Sequence, residues 1–352
     1  MSAQRSLQDK LERRIAALGP ISIADYMREC LMDPEFGYYQ QQVVFGEKGD
    51  FTTAPEISQM FGEIIGLKLA EKWLLAGSPK NTMLIELGPG RGTLMADILR
   101  ATKMVPNFHE AIDIHFVETS KQLKTLQKEK VPDANWHDQI HDVPEGFSLI
   151  VANEFFDALP IHQFEKKDGI WFERMVATKN GALEYVLSNP GPQFSLVPSS
   201  FKAKENGSIY EVCPAALSIT GIVSERIKKY GGSAIIIDYG YIQSTGGDTF
   251  QALKHHTYVP TLENPGSADL TAHVAFDQLA NVAKEIGVKV NGAFEQGAFL
   301  MQAGIGERAQ NLAKDAPEDL QKKILGELVR LTAPDQMGQL FKVLLLNHIK
   351  FE

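Results

Sequence analysis

A chain of 352 residues and 39.0 kDa, 44% hydrophobic and 22% charged, has the profile of a soluble globular protein able to bury one large core or two modest ones. Lys and Arg total 35 against 44 Asp and Glu, a formal charge of -9, and no basic block tracks a phosphate backbone, so a nucleic-acid partner is not expected. Cys30 and Cys213 form no CxxC pair, which argues against a disulfide framework or a metal knuckle, and no apolar run approaches the roughly 20 residues of a bilayer span.

The chain opens on "MSAQRSLQDKLERRIAALGP", where Asp9 and Glu12 alternate with arginines and Gly19-Pro20 stops an amphipathic helix. It has no signal-peptide core, so the expected compartment is the cytoplasm, or the mitochondrial matrix for a form from which a presequence has been removed. Residues 1–75 are expected to form a cap with a helical second half, carrying the loop "GDFTTAPEIS" (49–58). Asp50, Thr52, Thr53, Glu56 and Ser58 in that loop read equally well as helix caps or as a lid over a small ligand.

Runs of strand length follow: "TMLIEL" (82–87), "IDIHFV" (112–117), "FSLIVAN" (147–153), "SAIIID" (233–238) and "FKVLLLN" (341–347). Nearly continuous Ile, Val and Leu implies strands covered on both faces, and the helical spacing of "TLMADILRAT" and "SKQLKTLQKEK" between them gives a βαβ rhythm. The expectation is an α/β fold with a Rossmann-like doubly wound sheet, its first part at 76–168 and its second at 233–352. Between them, 169–232 reads as an insertion: a hairpin about Asn180-Gly181 and a helix opening at Pro214. A mostly helical tract, 270–335, precedes the last strand.

The stretch "IELGPGRGT" sets Gly88, Gly90 and Gly92 where a strand turns into a helix, with Glu86 just before them. No Gly-Lys-Ser/Thr follows, so it is not a P-loop, and Thr93 stands where a dinucleotide site would want its third glycine. Glu86 would repel a pyrophosphate and suits a cation. The pattern therefore favours S-adenosyl-L-methionine, which carries a sulfonium and an ammonium and no phosphate. Glu118, at the end of the next strand, is placed to accept from ribose hydroxyls, and Trp136, His137 and Asp138 offer a ring and an acceptor for adenine. The end of "VANEFFDALPIHQF" supplies Asn153, Glu154 and Asp157. Two carboxylates three residues apart on one helical turn would share a face, grip a cationic nucleophile and accept its proton. His273 and Asp238 are further pocket candidates.

These stretches, with "YMRECLMDPEFGYY" (26–39), "GDFTTAPEISQMFGE" (49–63), "IDYG" (237–240), "DLTAH" (269–273) and "MGQLFKVL" (337–344), resemble the MidA-like family of S-adenosylmethionine-dependent methyltransferases nearly from end to end. The resemblance implies a class I methyltransferase fold with an added domain, S-adenosylmethionine as donor, and a protein arginine as acceptor. In the family's mitochondrial member that arginine belongs to a complex I subunit. It also implies that Gly88, Gly90 and Gly92 are the cofactor loop, Glu118 the ribose position, and Asn153 to Asp157 the substrate-facing motif. The same chemistry on another nucleophile, or a non-catalytic assembly factor that holds the donor, are the alternatives the sequence leaves open.

Overall fold

The computed structural model describes residues 6–41, 53–189 and 196–349. At its centre is an eight-stranded sheet in the order Lys289–Glu295, Phe341–His348, Gly232–Tyr241, Ser148–Asn153, Thr82–Leu87, Ile112–Val117 and Asn135–His137, with Val274–Ala275 flanking Gly232–Tyr241. The strands from Gly232–Tyr241 to Asn135–His137 run parallel, and Phe341–His348 is antiparallel to both its neighbours. The strand order reverses between Thr82–Leu87 and Ser148–Asn153. That switch point opens a crevice at the carboxyl ends of the strands. This mixed α/β architecture with a mostly parallel sheet is the Rossmann-like, doubly wound arrangement expected from the sequence.

The five strands read from the sequence are present, and the reason is burial. Every residue of Thr82–Leu87 and of Ser148–Asn153 is buried, as doubly covered parallel strands require. Lys289–Glu295 was not anticipated as a strand. It is a half-exposed edge with little alternation, lying inside the tract expected to be helical.

Helices cover both faces. Gln59–Leu75 lies against Thr93–Thr102 so closely that a Cβ on Gly62 would come 2.5 Å from Asp97 Cβ, and one on Gly66 2.9 Å from Ile98 Cα. Glu63, buried in the first of these helices, accepts from Arg308 Nε at 2.7 Å and from Arg100 at 3.1 Å. On the opposite face, Pro214–Tyr230 and Phe276–Ile286 pack on Ile85, Ile150 and Ile236. Both Gln59–Leu75 and Pro214–Tyr230 are thus core helices, although the sequence suggested that the first belongs to the cap and the second to an insertion. Their apolar residues find the sheet, and sequence adjacency is a poor guide to that choice.

The helices Leu7–Leu18 and Ile23–Met32 pack instead with a second sheet, ordered Ile21–Ser22, Ile170–Lys179, His162–Lys167 and Ile209–Val212, with Ala182–Leu187 paired to Ile170–Lys179. Ile170–Lys179 and Ala182–Leu187 turn about Asn180 and Gly181, both at positive φ. His162–Lys167 extends this sheet upstream of residue 169, so its start precedes the expected insertion. A three-stranded sheet of Gln251–Lys254, Thr257–Val259 and Asp269–Thr271 completes this layer. Among the described residues no helix is long and apolar enough to cross a membrane.

Candidate active site

A cavity of about 680 Å³ fills the crevice. Its floor is the strand-to-helix turn at Gly88 and Gly90. Its sides come from Val117 and Glu118, from Asn153 to Phe155, and from Thr53, Pro55 and Glu56 of the cap. The turn needs glycine at 88 for two reasons. Its φ is +63°, and a Cβ there would stand 2.7 Å from Phe155 Cδ2. Gly92 is not on the wall: it is the N-cap of Thr93–Thr102, with its backbone against Gln127.

Glu86 reaches the cavity from the last turn of its strand and is buried. Among the described residues its Oε2 has no hydrogen-bond partner. Burial pushes its carboxyl up to about 8, the Met95 N–H opposing this only in part. An orphaned buried carboxylate oxygen of this kind is expected where a ligand supplies the missing cation. Glu118 is better satisfied, accepting from Ser120 N at 2.8 Å and from Gln127 Nε2 at 3.2 Å, yet burial still raises its pKa. Gln127, which sequence reasoning passed over, also donates from the same amide to Gly90 O at 2.8 Å and accepts from Trp136 Nε1 at 2.8 Å. It ties the glycine turn, the acidic position and the next strand together. Its place four residues after Leu123, on the apolar side of an amphipathic helix, was the signal in the sequence.

The residues expected to meet adenine divide. Asp138 lines the cavity and accepts from Lys124 Nζ at 2.8 Å, which holds its carboxyl below the usual range. Trp136 and His137 do not line it. Trp136 packs edge-on to Phe116, and the His137 ring lies with Nε2 2.9 Å from His115 Nδ1. The strand Asn135–His137 pairs along Ile112–Val117, and its pleat commits both rings to the sheet's neighbours rather than to the crevice. Val117, Leu123 and Ile140 are the apolar surfaces on that side. Asp50 and Thr52 lie outside the described residues, while Ser58 caps Gln59–Leu75 by accepting from Met60 N.

Residues 154–160 are a turn and not the helix that would have aligned Glu154 with Asp157. Glu154 takes a left-handed φ of +50°, donates its N–H to Ile237 O at 2.9 Å, and presents its carboxylate to the cavity. Its Oε1 accepts from Ala54 N at 2.9 Å and from Asn153 Nδ2 at 3.2 Å. Burial pushes this carboxyl up to about 7, with the Asp157 charge adding to the effect. Asp157 is behind the wall, its Oδ1 unpartnered among the described residues; burial pushes it up to about 6. Tyr239 stands close enough to influence it without completing a hydrogen bond of good geometry. The paired-carboxylate grip expected from spacing is therefore not formed at the cavity, which Glu154 lines and Asp157 does not.

Asp238 explains the turn. Its Oδ2 accepts from the N–H groups of Phe155, Phe156 and Asp157 at 3.1, 2.9 and 3.2 Å. It is a brace, not a pocket residue. His273 lies off the main cavity, its N–H donated to Thr249 Oγ1 at 2.9 Å.

The donor set fits a cationic nucleoside: a buried acid with an unpartnered oxygen at Glu86, a second buried acid at Glu118, apolar surfaces beyond it, and a turn stripped of side chains. A family model described as "Putative S-adenosyl-L-methionine-dependent methyltransferase" matches residues 64–294. The mitochondrial protein arginine methyltransferase NDUFAF7 homolog of Drosophila melanogaster is 38% identical over 97% of this chain and 85% of its own length. The Homo sapiens protein arginine methyltransferase NDUFAF7 is 37% identical over 96% of this chain and 83% of its own. A Burkholderia thailandensis protein, crystallised with S-adenosyl-homocysteine, is 26% identical and superposes with a TM-score of 0.84, covering 98% of this chain and 92% of that one. The chain belongs to the S-adenosyl-L-methionine-dependent methyltransferase family.

Proposed function

We propose that this methyltransferase acts on the guanidinium group of an arginine in a protein, and that Glu154 is the carboxylate that receives it. The observation that carries the reading is Glu154 itself: a buried acid on the cavity wall, beside the glycine turn, held by Ala54 N–H and Asn153. The relatives' description as protein arginine methyltransferases supports it.

Bound in the cavity, S-adenosylmethionine supplies an electrophilic methyl group. Gly88 and Gly90 would leave room for it, Glu86 would offer a counter-charge to its ammonium, and Glu118 would accept from its ribose. Glu154 does the remaining work. Ala54 N–H and Asn153 Nδ2 fix Oε1, so the carboxylate meets an incoming guanidinium in one orientation. The ion pair orients one guanidinium nitrogen, and Glu154 takes the proton that this nitrogen loses. A carboxyl pushed up to about 7 can hold that proton and still return it to solvent near neutrality. Asn153 is a positioning residue, and Asp157 acts on Glu154 only through its charge. The acceptor protein we propose is a subunit of respiratory complex I, following the family resemblance, and the compartment is the cytoplasm or the mitochondrial matrix.

The test uses purified protein, radiolabelled S-adenosylmethionine and cell extract, with methylarginine read by mass spectrometry. Label in arginine that disappears with Glu154→Gln, while S-adenosyl-homocysteine still binds, supports the reading. Label in another residue type, or unchanged turnover in the variant, refutes it.

A further inference from the structure

The donor carries two cationic groups, sulfonium and ammonium, and one anion, the carboxylate of its methionine part. The cavity answers the cations several times over and the anion once. Glu56, Glu86, Glu118, Asp138 and Glu154 face the cavity. Among the described residues Arg91 is the one Lys or Arg side chain on that wall. A ligand carboxylate placed elsewhere would be desolvated among acids, which buried-charge energetics disfavour.

The surroundings of Arg91 leave it available. Its guanidinium stands 3.6 Å from Glu56 Oε2, long for a charge-assisted hydrogen bond. Glu56 is meanwhile engaged elsewhere: its Oε1 accepts from Thr93 Oγ1 and lies 3.9 Å from Lys130 Nζ. One carboxylate is shared between two cations, so a positive charge is left over beside the glycine turn. The helix Thr93–Thr102 begins two residues on with no side-chain cap, and its N-terminal dipole adds the same sign.

We infer that Arg91 binds the carboxylate of the methionine moiety of S-adenosylmethionine, with Lys130 and Thr93 holding Glu56 aside. The inference rests on the donor and is independent of the arginine acceptor.

The test compares two ligands by isothermal titration. S-adenosyl-homocysteine has the carboxylate; 5′-methylthioadenosine keeps the adenosine and thioether and lacks the amino-acid part. Arg91→Met should weaken S-adenosyl-homocysteine by about 10- to 100-fold, the worth of a charge-assisted bond. Binding of 5′-methylthioadenosine should stay within about twofold, since nothing it contacts has changed. Arg91→Lys, which keeps the charge and loses the fork, should fall between. Equal losses for both ligands, no loss for S-adenosyl-homocysteine, or identical behaviour of the Lys and Met variants each overturn the assignment. Failure of the unaltered protein to bind either ligand would instead refute the donor.

Discussion

Glu86 makes donor binding a function of pH. Burial pushes its carboxyl up to about 8, so the ligand-free site is mostly protonated at neutrality. With that value, about one molecule in ten carries the charge at pH 7 and about one in a hundred at pH 6. If the donor's ammonium pairs with the ionised form, its dissociation constant should improve about tenfold per pH unit between pH 6 and 7, with nearly one proton released per molecule bound. Glu118 and Glu154 also have raised values and add to the slope, so the quantity to compare is the difference from Glu86→Gln. The sign for stability is opposite. A carboxyl whose folded value is raised favours the folded state fully below its ordinary range and loses that contribution as pH climbs through about 8. Glu86→Gln should therefore stabilise the ligand-free protein at pH 8, by up to about 4 kcal/mol for a carboxyl moved from 4.5 to about 8. Titration calorimetry with S-adenosyl-homocysteine, in buffers of different ionisation enthalpy, reads both the affinity and the proton. Equal pH slopes for the two proteins would refute the reasoning.

Three other substitutions test separate parts of the site. Gly88→Ala puts a Cβ 2.7 Å from Phe155 Cδ2 at a positive φ; it should abolish detectable S-adenosyl-homocysteine binding and cost about 1–3 kcal/mol in urea unfolding, and an unchanged affinity would contradict it. Gln127→Leu leaves Gly90 O, Glu118 and Trp136 Nε1 without their shared partner, for a loss of about 1–3 kcal/mol and a weaker ribose contact measurable with adenosine alone. Asp238→Leu unpairs the N–H groups of Phe155, Phe156 and Asp157 and should lower the melting temperature and the methyl-transfer rate together, while Asp238→Asn, which keeps an acceptor, should retain most of both.

What could be read in advance was what depends on neighbours in sequence. Thr82–Leu87 and Ser148–Asn153 announce themselves as strand-length runs dominated by apolar residues, and the fold buries every residue of both. The glycine turn follows from spacing. The disposition of Glu154 and Asp157 does not, since it is imposed by Asp238, a residue more than eighty positions away. Helical spacing aligns two carboxylates only within a helix, and here a neighbouring strand holds the segment in a turn. Trp136 and His137 failed for a similar reason: their direction depends on the pleat of a three-residue strand whose pairing is not local. Gln127 and Arg91 have ordinary surface-type side chains, and only the assembled fold sets Arg91 on the cavity wall and Gln127 against the glycine turn.

The position of Phe341–His348 has a consequence for biosynthesis. It is the last strand of the central sheet in chain order, yet it lies inside that sheet, bonded on one side to Gly232–Tyr241 and on the other to Lys289–Glu295. A ribosome delivers the other seven strands first. Until Phe341 and its followers emerge, Ile235, Ile236 and Ile237 offer an unpaired edge, the kind of template that invites a wrong partner. The nascent protein thus carries a complete glycine turn and an unfinished sheet at the same moment, and a chaperone holding that edge, or early donor binding at the other end of the strands, would protect it while translation finishes.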